Sequence, residues 1–143
     1  MQRLLIAALL AWAACAQAEM PRIDLTAGMY RIDSEVAADQ PNRMQGLMNR
    51  KQLAANQGML FVFTHDNTHC MWMRNTLIPL SVAFLDGDGV IINIEDMQPQ
   101  TETNHCARRP ARYALEMNLG WFAQRGFAAG NKIYGLDKAP APR

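Results

Sequence analysis

The chain alternates short apolar runs with polar or glycine-containing turns, a pattern typical of short β-strands. The pattern predicts strands over 23–36, 58–63, 70–76, 80–85, 90–94, 112–117 and 131–134. A turn at Ala27-Gly28 divides the first of these segments. The run Asp86-Gly87-Asp88-Gly89 between two apolar segments predicts a hairpin.

Helical periodicity is confined to two short segments. Asp39 can cap a helix over 40–50, in which Met44, Leu47 and Met48 form an apolar stripe. A second helical turn is predicted over 120–125. Short strands with one or two short helices predict an α+β, β-rich single domain, built as a curled sheet or a partly open barrel.

Residues 1–18 have the features of a secretory signal peptide. Arg3 precedes an apolar run over 4–14, and Ala16-Gln17-Ala18 is a small-residue cleavage site before Glu19. The apolar run is shorter than the roughly 20 residues that a membrane-spanning helix needs, so we expect no stable membrane insertion after cleavage. The mature protein is therefore predicted to be periplasmic or secreted. The alternative is a lipoprotein anchored at Cys15.

The mature chain is predicted to form one domain over 19–136, followed by a polar, proline-rich tail over 137–143 that we expect to be disordered. Removal of Arg3 leaves 13 basic and 13 acidic residues. A chain without net charge offers no basic field for nucleic acid, so no nucleic-acid partner is expected.

Two cysteines remain after cleavage, Cys70 and Cys106. In an oxidising compartment their default state is a disulfide, which we favour. The alternative is a pair of thiolate metal ligands.

Five sequence blocks occur in a fixed order. They are R-x-x-G-L-M-x-R over 43–50, G-M-L-F-x-F over 58–63, W-M-x-N-T-L-I-P-L over 72–80, D-M-x-P over 96–99 and P-A-x-Y-x-L-E over 110–116. Together they closely resemble the domain of unknown function 192 family across roughly 29–135. Met71 stands where that family usually has Phe. The resemblance implies a small, single-domain, β-rich and often exported protein, and it implies no reaction, ligand or catalytic residue.

The first block suggests a ligand site. On a helix, Arg43 and Arg50 have nearly the same azimuth, and Gly46 lies between them. Two guanidinium groups beside a residue without Cβ can hold an anion. In the structural alternative, one arginine pairs with Glu116 and Gly46 allows a strand to pack closely.

Three further polar residues complete this candidate site. Asn75 and Thr76 follow a predicted strand, where they either satisfy turn backbone or orient a ligand. Glu116 shares one strand face with Arg112 and Ala114. An acid in so apolar a strand lies at a wet edge or is paired in a pocket.

A second candidate site has soft-metal ligand types. On a strand, His69, Met71 and Met73 would share one face, and Trp72 could cover a cation. Imidazole and thioether ligands suit Cu(I). The alternative is that these methionines are ordinary core residues.

These patterns predict an exported accessory protein that binds a small polar or anionic ligand, or an envelope protein partner, without chemistry and without a cofactor. The ligand-binding residues would be Arg43, Gly46, Arg50, Asn75, Thr76 and Glu116. The first alternative is a periplasmic Cu(I)-binding protein. The second is a hydrolase or lyase centred on Glu116, which would need a partner such as Asp96 or a histidine.

Overall fold

The structure, a computed structural model, describes residues 19–143. The predicted signal peptide over 1–18 and the alternative anchor at Cys15 therefore lie outside the described residues. Within 19–143, no helix is both long enough and apolar enough to span a membrane.

Nine strands and two short helices make up the domain. The strands are β1 (Arg22–Ala27), β2 (Tyr30–Ala37), β3 (Gln57–Asn67), β4 (Cys70–Met71), β5 (Leu80–Leu85), β6 (Ile91–Met97), β7 (His105–Cys106), β8 (Ala111–Asn118) and β9 (Ile133–Tyr134). The helices are α1 (Gln40–Gln45) and α2 (Trp121–Gln124), and a 3₁₀ turn spans Leu136–Lys138. The predicted β-rich α+β class is confirmed.

Seven of the strands form one sheet in the order β6-β5-β8-β3-β2-β1-β9. Neighbouring strands are antiparallel except β2 and β3, which are parallel and joined by the crossover that contains α1. The sheet curls far enough for Val90, before β6, to bridge to Lys132, before β9. Because the two sheet edges meet only there, the sheet is a partly open barrel, as predicted.

Both faces of the sheet are buried. One face carries Leu60, Leu115 and Met117 in a core that also receives Trp121 and Phe122 from α2. The opposite face is covered by the α1 crossover and by the loops around β4 and β7. Its largest members are Leu47, Met59, Phe61, Met73, Leu80, Phe84 and Met97. A side chain near the middle of β8 is therefore buried whichever face it occupies.

Helix α1 is shorter than predicted. It begins after Asp39, whose carboxylate accepts a hydrogen bond from the backbone N–H of Asn42 (2.9 Å), but it ends at Gln45 instead of residue 50. Gly46 ends it with φ of +48° and ψ of −134°, a conformation that only glycine adopts without strain. The expected helical stripe through Arg43 and Arg50 is therefore wrong.

Cysteines 70 and 106 form a disulfide, which confirms the favoured pairing. They lie opposite each other in the separate two-stranded ribbon of β4 and β7. At the C-terminus, the segment expected to be disordered contacts the domain: the backbone N–H of Arg143 donates to the carbonyl of Ala38 (2.9 Å), and Lys138 Nζ to that of Asp24 (3.3 Å).

Candidate functional site

A small cavity of about 30 Å³ lies between the α1 crossover, the covered face of the sheet and the segment that follows β4. Four parts of the chain that are distant in sequence surround it. Its lining residues are Arg43, Met44, Gln45, Gly46, Leu47, Met48, Phe61, Met71, Trp72, Thr76 and Glu116.

A wider groove of about 560 Å³ adjoins this cavity. Its walls are Pro41, Met44, Gln45, Met48, Asn49, Trp72, Arg74 and Asn75. The groove and the cavity share Met44, Gln45, Met48 and Trp72. Met44 (68 % exposed) and Trp72 (43 % exposed) are large apolar side chains that the rest of the described chain leaves partly uncovered.

Glu116 is the acidic residue of the cavity. It lies near the middle of β8, with Met59 of β3 and Val82 of β5 as its register partners, and it is only 3 % exposed. Burial raises the pKa of this carboxyl to about 8, and among the described residues no hydrogen bond or charge contributes to the shift. Near neutral pH the free protein therefore holds Glu116 mainly as the uncharged acid.

Arg43 lines the cavity but does not pair with Glu116. Its guanidinium group donates to three backbone carbonyls, those of Ala38, Val62 and Arg143. These bonds join α1 to β3 and to the C-terminal segment. The positive charge of Arg43 is thus directed to backbone oxygens, and the expected pairing with Glu116 is wrong for this arginine.

Arg50 lies outside the cavity. Its Nη2 donates to Glu35 of β2 (2.8 Å), and Glu35 also pairs with Arg22 (3.2 Å). Because the chain leaves the helical path at Gly46, the two arginines do not converge on one anion. Arg50 neither pairs with Glu116 nor faces the other candidate residues.

Gly46 and Thr76 line the cavity, and Asn75 borders the groove. A Cβ on Gly46 would lie 3.1 Å from Cζ of Phe61, so the crossover packs closely on β3. Asn75 has a φ of +52° and accepts a hydrogen bond at its carbonyl from the N–H of Asn49 (2.9 Å), and it borders the groove. Thr76 lines the cavity itself.

The three residues of the copper hypothesis are spread over different environments. The ring of His69 stacks on Phe63 (centroids 3.7 Å apart), and Met73 is fully buried in the core. Only Met71 lines the cavity. Within residues 19–143, no cluster of three or more His, Cys, Asp or Glu side chains is placed to hold a metal ion.

The apolar part of the site was predicted only in part. Met44 and Met48 were interpreted as a helical core stripe, and Met71 and Trp72 were named only for the Cu(I) alternative, yet all four line the cavity. The spacing of these residues in the sequence does not indicate that they line a cavity. The useful signal was the position of Met48 and Trp72 inside two of the family-like blocks.

Comparison with known families identifies the family of this chain. The model of the DUF192 family, described as an uncharacterized ACR, matches residues 23–135. The chain belongs to this family. No curated protein matches it.

Two solved structures resemble this DUF192 protein across most of its length. A candidate transcription regulator from Sinorhizobium meliloti 1021 has 34 % identity and a TM-score of 0.75, with 83 % of this chain and 97 % of the other covered. A protein of unknown function from Novosphingobium aromaticivorans DSM 12444 has 31 % identity and a TM-score of 0.76, with coverages of 90 % and 99 %.

Four of the five blocks that carry the DUF192 resemblance meet at the cavity, and the block over 96–99 contributes no lining residue. The first supplies Arg43, Gly46, Leu47 and Met48, the second Phe61, the third Trp72 and Thr76, and the last Glu116. Thus eight of the eleven lining residues are literal members of these blocks. Residues far apart in the sequence meet at one place, which makes the cavity and its groove the candidate functional site.

Proposed function

We propose that this protein is an exported binding protein whose ligand occupies the groove and reaches the cavity, without undergoing a reaction there. The observation that carries the proposal is Glu116: a carboxyl in the interior of the sheet, only 3 % exposed and not hydrogen-bonded to any described residue, at a cavity that adjoins an open apolar groove. Burial of a polar group without a hydrogen bond is costly. A ligand that supplies the missing partner would be bound strongly at this point.

The lining favours binding over catalysis. Apolar walls with a few polar groups are typical of ligand sites, and the groove has a usual volume for one. General acid–base chemistry needs a second positioned group. Of the described residues around the cavity, only Arg43 is charged besides Glu116, and its guanidinium is held by backbone carbonyls. The hydrolase or lyase alternative therefore has little support.

An anionic ligand is also disfavoured, because Arg43 and Arg50 are engaged with oxygen atoms of the protein. The Sinorhizobium protein is described as a candidate transcription regulator, but the charge of this chain does not favour DNA binding. Residues 19–143 have 13 basic and 13 acidic side chains and thus no basic field for DNA.

Methionine methyl groups give a direct test of binding. Protein labelled with ¹³C in the methionine methyls is screened against a library of small organic fragments by NMR. We expect binders to shift the methyls of Met44, Met48 and Met71. Met29, at the β1–β2 turn and 89 % exposed, is the internal control. A library that shifts no cavity methyl, or shifts Met29 equally, would contradict the proposal.

A second candidate function is soft-metal binding, at a place different from the one expected from sequence. Met44, Met48 and Met71 bring three thioethers to one cavity beside Trp72, and thioethers suit Cu(I). Silver(I) added to the same labelled sample provides a redox-stable probe. Shifts of all three methyls at one equivalent would favour this candidate, whereas unchanged spectra would remove it.

Export is the remaining part of the proposal. It is supported by the signal-like sequence of residues 1–18 and by the disulfide, which forms and persists in oxidising compartments. Intact mass measurement of the protein from a periplasmic extract should give an N-terminus at Glu19. A mass corresponding to lipidated Cys15 would support the anchored alternative instead.

A further inference from the structure

We propose that the cavity receives a primary ammonium group on an unbranched alkyl stem, with the Glu116 carboxylate as its counter-ion. This inference rests on the proposed binding function and names the ligand class for the same site. It follows from the carboxyl of Glu116, the dimensions of the cavity and the apolar walls of the adjoining groove.

Among the described residues, no charged group is paired directly with Glu116. Its flanking residues in the neighbouring strands are Met59 and Val82, and on its own strand Arg112 pairs with Asp66. The segment after β4 contributes no charged side chain to the cavity, and the α1 crossover contributes only Arg43. Arg43 keeps its positive charge, but its guanidinium is held by the carbonyls of Ala38, Val62 and Arg143 and forms no ion pair with Glu116. An entering cation could therefore become the direct partner of the carboxylate.

The dimensions select among cations. A volume of about 30 Å³ holds one or two groups of the size of water. An –NH₃⁺ group is of that size and presents three N–H donors. A planar guanidinium group or a quaternary ammonium is larger and fits a cavity of this volume less well.

The groove next to the cavity can hold the alkyl stem of the ligand. Met44, Met48 and Trp72 continue from the cavity into the groove, so an alkyl chain attached to the ammonium would run between thioethers and an indole. Polarisable methionine side chains adapt to such a chain. The partial exposure of Met44 and Trp72 in the free protein provides apolar surface for the stem to cover.

Binding in this way exchanges a proton. In the free protein near pH 7 the Glu116 carboxyl is protonated. When the ammonium enters, the carboxyl O–H bond breaks and its proton passes to the buffer. The ammonium keeps its three protons and donates a hydrogen bond to the resulting carboxylate. The complex therefore forms with release of one proton.

The test uses n-pentylammonium and the neutral n-pentanol as matched probes, with Nα-acetyl-lysine N-methylamide as a third. Affinity is measured by calorimetry at pH 6, 7 and 8, in phosphate and in HEPES, which differ in ionisation enthalpy. We expect pentylammonium to bind at least tenfold more tightly than pentanol, to release about one proton at pH 7, and to gain about tenfold in affinity from pH 6 to 7. The methyls of Met44, Met48 and Met71 should shift.

The matched variants are Glu116→Gln, which keeps the size of the side chain and removes its charge, and Glu95→Gln, a carboxyl outside the site. Glu116→Gln should abolish the preference for pentylammonium and the pH dependence, and Glu95→Gln should preserve both. Equal affinity for pentanol, or affinity unaffected by pH and by Glu116→Gln, overturns the ammonium inference while leaving the groove as a binding site. Failure of every probe to bind overturns both proposals.

The lysine derivative tests whether the ammonium group belongs to a lysine side chain of a partner protein or to a free alkylamine. Binding comparable to that of pentylammonium would indicate a lysine side chain of a partner protein. Binding of pentylammonium alone would indicate a free alkylamine. Either result supports the ammonium assignment.

Discussion

Glu116 links the chemistry of the site to the stability of the fold. It lies on the covered face of β8, between apolar strand neighbours, it is only 3 % exposed, and no described residue forms a hydrogen bond with its carboxyl. Desolvation disfavours the ionised carboxylate, so the folded protein keeps the proton to a much higher pH than the unfolded chain does. The residue therefore lowers the free energy of unfolding at every pH above its ordinary pKa of 4.5, and most at and above pH 8.

The pH dependence of unfolding should show this effect. The pKa of Glu116 is about 8 in the folded protein, against an ordinary value of 4.5. Below pH 4.5 the carboxyl is protonated in both states, so the stability associated with its protonated form is fully present. As the pH rises towards 8, the free energy of unfolding falls by roughly 1.4 kcal/mol per pH unit. We expect urea unfolding of the wild type to show a free energy that falls from pH 5 to pH 8.

Glu116→Gln provides the control for this measurement, because it cannot ionise. The wild type should lose stability relative to this variant as the pH rises, and the difference between the two should level off above pH 8. Parallel pH profiles for the two proteins would mean that Glu116 is not desolvated as the structure places it.

At the scale of elements, the end of α1 decides the shape of the site. Gly46 turns the chain out of the helix and brings it against Phe61, which lines the cavity from β3. The crossover that joins the parallel strands β2 and β3 thereby forms one wall of the cavity. Had the helix continued to residue 50, Arg50 would lie above Arg43 instead of beside Glu35.

We expect Gly46→Ala to lower the free energy of unfolding by about 1–3 kcal/mol, because its φ of +48° strains any residue with a Cβ. The new Cβ would also press on the ring of Phe61 and narrow the cavity. Thermal or urea unfolding measures the first effect, and weaker binding of pentylammonium measures the second.

Two glycines elsewhere serve as controls for this substitution. Gly87 has open space around its Cβ position and no positive φ, so Gly87→Ala should leave stability unchanged. Gly126 also has open space but a φ of +77°, so Gly126→Ala isolates the backbone strain. If Gly46→Ala lowers the free energy of unfolding no more than Gly126→Ala does, the contact of the new Cβ with Phe61 does not contribute to the destabilisation.

The hydrophobic pattern was sufficient to locate most strands in the sequence, but it did not predict which strands pair with each other. It located β5 at 80–85, because that strand has buried residues throughout and a strong turn after it. It did not predict β7, whose two residues pair only with β4. Strand pairing between distant segments, such as parallel β2 and β3, depends on the crossover and leaves no local signal.

The site was predictable to the same extent. Gly46, Thr76 and Glu116 were identified because a glycine in an apolar stripe, a polar strand end and an acid in an apolar strand are each locally unusual. Arg50 was misplaced because its role depends on Glu35, fifteen residues away. Met44 and Met48 were not predicted as site residues, and Met71 was named only for the Cu(I) alternative, because their shared environment is created only when the crossover meets the segment after β4.

At the scale of the whole molecule, the disulfide stabilises one wall of the candidate site. Cys70 and Cys106 are 36 residues apart in sequence and join the β4–β7 ribbon. Met71 and Trp72 follow Cys70 directly and form the second wall of the cavity. The bond therefore holds in place the part of the site that has little sheet structure of its own.

We expect Cys70→Ala/Cys106→Ala to lower the free energy of unfolding by about 2–4 kcal/mol, because removal of the cross-link restores conformational freedom to the unfolded chain. Urea unfolding of the variant and of the oxidised wild type measures this difference. Binding of pentylammonium should also weaken, with the largest change at the Met71 methyl and none at Met29. Wild-type protein treated with a reductant is the matched control and should behave as the variant does. If both reduced forms keep full stability and unchanged affinity, the ribbon holds its position without the bond, and an oxidising compartment is not needed for the site to form.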